Sequence, residues 1–194
     1  IEDKFLFLAY GANRHIKLED PRQHPEIEPV ATLFGENGYL KHIKVSVNFA
    51  YVSQHFTAIQ QLINAVLEKA DFEKKVSLTA FDASSLYFDT SSGSKMPTSR
   101  MPIEGLSEGF KSTFIWLFDM IIRIVEKGGD LNNANAITGV VLLDEVDLHL
   151  HPSWQRTILP SLHALFPNIQ FVVSSHSPFV AQSIKNESVT SLEW

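Results

Sequence analysis

The sequence predicts an α/β fold with a largely parallel sheet flanked by helices, on three observations. Residues 137–143 and 169–173 are short apolar runs of strand length, each followed by a stretch with helical periodicity. Amphipathic helical patterns at 49–70 and 105–127 alternate with the strand-like runs. The run Val140, Val141, Leu142, Leu143 also stops abruptly in two carboxylates, Asp144 and Glu145. A short apolar run ending in acids predicts a central strand covered on both faces, with charge at its C-terminal edge. In open α/β sheets that edge is where ligands bind.

Composition narrows the function classes. The 194 residues suit one domain with a sizeable core, and 44% hydrophobic with 20% charged residues is ordinary for a globular protein. Cysteine is absent, which excludes disulfides, thiolate metal sites and cysteine nucleophiles. A formal net charge of −6 supplies no general attraction to nucleic acid. No 18-residue apolar run and no signal peptide is present, so the expectation is a cytoplasmic protein without a membrane span. The chain opens at Ile1 directly into a strand-like run, which suggests part of a longer protein.

In order, residues 5–10 (FLFLAY) predict a strand broken by Gly11, after which Arg14 can reach a phosphate or an interface, or simply be solvated. Residues 18–48 are loop-rich, punctuated by Pro21, Pro25, Pro29, Gly35 and Gly38. Over 49–70, Phe56, Ile59, Leu62, Ile63, Val66 and Leu67 form an apolar stripe that leaves Gln60, Asn64 and Glu68 outward. Residues 76–81 and 85–89 alternate as two short antiparallel strands, and 90–100 reads as a polar surface loop.

Residues 105–113 (GLSEGFKST) predict a helix start with Ser107 as N-cap and Glu108 in the first turn, running to about Lys127. Backbone N–H groups, the Ser107 hydroxyl and an open Gly109 would there face outward together as a receptor for phosphate oxygens, unless the helix is simply capped. A phosphate-binding GxxxxGK[ST] loop is absent: Phe110 separates Gly109 from Lys111, and no other candidate occurs in the chain. Beyond the 137–143 strand, Pro152 opens a helix that Pro160 should kink. The buried strand 169–173 ends in Ser174, Ser175, His176, Ser177 and Pro178, with Pro178 opening a short helix and 188–192 a final strand. His176 and the Asp144/Glu145 pair therefore project from strand ends on one sheet edge, a plausible reaction site.

With these residues in view, the chain resembles the C-terminal lobe of ABC-type ATPase heads of the SMC- and RecF-like group. It is most similar to the OLD-related AAA-family ATPases, which include subunits of Septu-type and retron antiphage systems. LSEG at 106–109 is similar to the ABC signature, LLDE at 142–145 to Walker B plus the catalytic Glu, and SSHSP at 174–178 to the switch-His loop. DLHLHPSWQ at 147–155, LFPNIQF at 165–171 and AYGANR at 9–14 also look like this family.

The resemblance implies a P-loop NTPase fold in which 1–194 is the C-terminal part of one ATPase domain. Residues 1–104 would be a variable region with a helix and a small β element, and 105–194 the signature, Walker B, D-loop and switch-His core. It implies a head that hydrolyses ATP with Mg²⁺, dimerises around MgATP and drives conformational change in a larger complex. Asp144 would hold Mg²⁺, Glu145 would activate the attacking water and His176 would contact the γ-phosphate. Ser107 and Gly109 would reach the ATP of the opposite subunit. His151 stands where the family's last D-loop Asp is expected, leaving Asp147, His149 and His151 as candidates for that role. The Walker A loop is missing, so residues 1–194 alone are expected to be inactive. A separately encoded nuclease partner is implied, while DNA binding has no support from charge. Two other readings are a metal-dependent phosphodiesterase using Asp144, Asp147, His149, His151 and His176, and a non-catalytic interaction module.

Overall fold

A computed structural model describes residues 5–12, 45–70, 75–82, 85–91, 99–185 and 188–191. Two three-stranded sheets organise them. The first is parallel, with strands β1 (Leu6–Tyr10), β5 (Gly139–Leu143) and β6 (Ile169–Val173) in the order β1-β5-β6. Its register aligns Tyr10 with Leu143 and Leu143 with Val173, so all three strands end level and their following loops emerge side by side. The second is antiparallel, with β2 (Lys75–Phe81), β3 (Leu86–Ser91) and β4 (Ser99–Pro102) in sequence order. The helices are α1 (Val45–Lys69), α2 (Glu108–Glu126), α3 (Pro152–Gln155), α4 (Ile158–Leu165) and α5 (Pro178–Ser183).

The core lies between α2 and one face of the parallel sheet. Strand side chains alternate, so Leu6, Leu8 and Tyr10 share a face with Val141, Leu143 and Ile169, and all are buried. Helix α2 is buried almost all round from Phe114 to Ile124, with α1 packed against it and Phe88 of the second sheet touching its first turns, in addition to β1. Phe88 of β3 meets Phe114 and Phe110 edge-on, with ring centroids 4.7 and 5.3 Å away. Inside this core Asp119 accepts hydrogen bonds from the Tyr10 hydroxyl and from Arg123 Nε, each at 2.7 Å. Burial, then the neighbouring Asp119, raises the Tyr10 pKa well above that of a free tyrosine. This network pins α2 to the end of β1.

Several expectations change. The central strand is not sealed on both faces among the described residues: Val140 and Leu142 are half-buried, and Phe7 and Val172 beside them are each 48% exposed. Gln60 and Asn64 do not simply face solvent. Asn64 accepts from Leu78 N–H at 2.8 Å and donates to Leu78 C=O at 3.1 Å, while Gln60 donates to the same carbonyl at 3.0 Å. Two amides thus cap the free edge of β2, a task that hydrophobic periodicity cannot reveal. The expected loop at 90–100 contributes the end of β3 and the start of β4. The helix after Pro152 breaks at Arg156 and Thr157, one turn ahead of Pro160, since proline denies its N–H to the carbonyl four residues back. Residues 188–191 form no strand. Arg14 and the loop-rich stretch up to residue 44 lie outside the described residues.

Candidate functional site at the ends of the parallel strands

Strand β5 ends at Leu143, and residues 144–149 form a compact turn held to the core by buried Val146 and Leu150. The Asp144 N–H donates to the Tyr10 carbonyl at 2.8 Å, fixing where the carboxylate leaves the strand. Glu145 (φ 47°) and His149 (φ 65°) both take the left-handed conformation, uncommon for residues other than glycine. Two such residues in one turn show a backbone whose shape is imposed by its surroundings.

The neighbouring strand tip imposes part of it. Backbone bonds from Ser174 N–H to the Leu143 carbonyl (2.9 Å) and from Val146 N–H to the Ser174 carbonyl (3.1 Å) continue the pairing past both strand ends. Three serine hydroxyls then repeat one pattern, each donating to a side-chain oxygen on residues 144–155, two of them carboxylates and the third an amide, and each accepting from a backbone N–H. Ser174 Oγ donates to Asp144 Oδ1 at 2.5 Å and accepts from Glu145 N–H at 2.9 Å. Ser175 Oγ donates to Asp147 Oδ1 and accepts from Ser177 N–H at 2.9 Å. Ser177 Oγ donates to Gln155 Oε1 at 2.6 Å and accepts from Phe179 N–H at 3.1 Å. Every hydroxyl proton has one assigned direction, so the ladder fixes the carboxylates of Asp144 and Asp147 relative to the loop that carries His176.

Asp144, Glu145 and Asp147 are thus brought together, half-buried, beside the loop bearing the exposed His176. Ser107 is exposed at the N-cap of α2, and its hydroxyl makes no cap bond. Gly109 is not open as expected. A β-carbon there would stand 2.0 Å from the His149 carbonyl oxygen, so this glycine lets the start of α2 pack against the 144–149 turn. His151 is exposed and caps α3, its Nδ1 accepting from Ser153 N–H at 3.3 Å and lying 2.8 Å from Ser153 Oγ. Sequence reasoning passed over Ser174, Ser175, Ser177 and Gln155. The available signal was the hydroxyl-rich SSHS run facing DEVD across adjacent strand tips.

The donor set consists of carboxylates and hydroxyls, hard oxygen ligands that suit Mg²⁺, which keeps most of its waters and takes one or two carboxylates. Among the described residues no group of three or more His, Asp and Glu stands in position to hold a metal on its own.

Residues 7–181 match the AAA_21 family, described as "AAA domain, putative AbiEii toxin, Type IV TA system". The chain belongs to this family. It is 43% identical over 91 residues to "Retron Vc95 probable ATPase" of Vibrio cholerae serotype O1 biovar El Tor, an alignment covering 47% of this chain and 18% of that protein. It is 28% identical over 142 residues to "Septu protein PtuA" of Bacillus thuringiensis, covering 70% of this chain and 34% of that protein. The chain therefore spans about a third or less of the length of these relatives. A solved structure from work on ATP-driven dimerization and DNA-stimulated activation of SMC ATPases superposes with a TM-score of 0.47 at 16% identity, over 71% of this chain and 78% of that one. The membership agrees with an α/β nucleotide-hydrolase fold and with the observed parallel sheet flanked by helices. No helix among the described residues is long and apolar enough to cross a membrane.

Proposed function

We propose that this chain forms the C-terminal part of an ATP-hydrolysing head that works in antiphage defence, in the cytoplasm. The observation that carries the proposal is the serine ladder, which presents two carboxylate-bearing positions and a histidine loop as one preorganised edge. Phosphoryl transfer to water needs little else from a protein than positioning and charge stabilisation.

Asp144, the Walker B acid, would hold Mg²⁺ with its second shell supplied by Ser174; the ion would neutralise charge developing on the phosphates. Glu145 orients and deprotonates the attacking water, its backbone held by Ser174 Oγ. His176 donates to the γ-phosphate from the adjacent tip. Ser107 and the backbone N–H of Gly109, at the start of the signature helix, receive the triphosphate of a second copy, so two heads dimerise around two ATP molecules. Asp147, His149 and His151 face that partner as the D-loop; His151 contributes only through the nitrogen its cap leaves over. No GxxxxGK[ST] occurs in residues 1–194, and a cradle of that kind for the inner phosphates would be required for hydrolysis. Dimer closure would drive conformational change in a larger complex that includes a separate nuclease subunit.

The test is Glu145→Gln in the intact protein. Turnover should fall about 10²–10⁴-fold, the range for losing a general base, while MgATP binding persists. Unchanged turnover would remove Glu145 from its role and the proposal with it.

A further inference from the structure

Gln155 takes part in none of the steps above, yet its amide makes three hydrogen bonds to two different loops. Nε2 donates to the Leu150 carbonyl at 2.9 Å and to the Asp147 carbonyl at 3.4 Å, while Oε1 accepts from Ser177 Oγ at 2.6 Å. The amide orientation follows from its partners: turned over, its oxygen would point at two carbonyl oxygens. Ser177 is itself buried, at 9% exposure, and caps α5 directly behind His176. Beside this link the guanidinium of Arg156, the residue that ends α3, lies 4.4 Å from the centre of the Phe179 ring in α5, a second tie across the same gap. On its other side the turn that Gln155 holds packs its His149 carbonyl onto Gly109 at the start of α2.

We infer that Gln155 is a positioning residue that locks the His176 loop to the turn bearing Asp147 and His149, and through that turn to the signature end of α2. Its two ends need opposite chemistry, a donor toward the carbonyls and an acceptor toward the hydroxyl, which glutamine supplies and a carboxylate or an aliphatic chain does not. A movement of the His176 loop is then shared with the surface offered to a second copy. The kinetic part of this inference rests on the ATPase reading; the mechanical part does not.

The experiment compares wild type, Gln155→Met, Gln155→Glu and Ser177→Ala in the intact protein. Hydrogen exchange is read at residues 145–151 and 174–180, normalised for intrinsic rates, with ATP turnover measured in parallel. Gln155→Met should speed exchange about 10-fold or more in both segments together and leave 115–124 of α2 as in wild type. Its kcat for ATP should fall about 10-fold with KM within about 2-fold. Gln155→Glu should match it at pH 8, where the carboxylate has no proton to donate to the two carbonyls. Ser177→Ala removes one of the same bonds from the far side and should loosen both segments even if a Gln155 variant fails to fold. Loosening confined to 145–151, or both segments loosened with kcat unchanged, would overturn the inference. If wild type does not hydrolyse ATP, the ATPase reading fails by itself, and the exchange data still decide the link.

Discussion

Substituting Gly109 by alanine tests the packing of α2 on the 144–149 turn. The new methyl would sit 2.0 Å from the His149 carbonyl oxygen and 3.1 Å from its carbon. The obstacle is backbone, so no side-chain rotation relieves it, and turn and helix must separate by about 1 Å to reach a tolerable approach. Forced overpacking of this kind costs about 1–3 kcal/mol. Alanine recovers at most about 1 kcal/mol of helix propensity, less in a first turn. The expected net loss is about 1–2 kcal/mol. With a urea dependence of about 2 kcal/mol per molar, the unfolding midpoint should fall by about 0.5–1 M. Equilibrium unfolding followed by fluorescence of Trp116 and Trp154 measures this. Gly105→Ala is the control, because its nearest neighbour would be Met101 Cβ at an ordinary 3.7 Å, and it should stay within about 0.5 kcal/mol of wild type. A Gly109→Ala protein as stable as wild type would refute the close approach and return this glycine to a role at an open surface.

Ser107→Arg should behave in the opposite way, because Ser107 is exposed and its hydroxyl makes no cap bond. Stability should change by less than about 1 kcal/mol, while light scattering of the intact protein should show ATP-dependent dimerisation lost; persistent dimers would remove Ser107 from the interface. Tyr10→Phe deletes a hydrogen bond to the buried Asp119 carboxylate and should cost about 1.5–3 kcal/mol at pH 7 in chemical denaturation. Its pH signature is separate: the folded tyrosine pKa lies above the unfolded one, so its contribution is complete below about pH 10 and is lost as pH rises through the folded value. Wild-type stability should therefore decline above pH 10 by up to about 1.4 kcal/mol per pH unit from this group. The phenylalanine variant should be flatter by that amount, and parallel curves would contradict the assignment.

What could be read from the sequence divides along physical lines. Apolar periodicity located β1, β5, β6 and both long helices, because burial on a sheet or in a core writes its period directly into the residues. The placement of Asp144, Glu145 and His176 at one sheet edge was legible because two short apolar runs end directly before them, and parallel strands end side by side. Partnership was not legible. Asn64 at a strand edge, Gln155 between two loops and Gly109 under the His149 carbonyl each depend on a neighbour distant in sequence, and their local patterns are those of ordinary surface residues. The half-covered sheet face was missed for a related reason: Val140, Leu142, Phe7 and Val172 read as core, and apolar character alone does not say what covers it.

In the proposed head, the outer end of a triphosphate is met at the two strand tips that the serines bind together. Nuclear magnetic resonance of the His176 imidazole in the intact protein tests this most directly, with the Glu145→Gln variant used to keep ATP intact. MgATP should shift the His176 ring resonances, while MgADP, lacking the γ-phosphate, should leave them near their nucleotide-free positions. Equal shifts with both nucleotides, or none with either while ATP is bound, would contradict it.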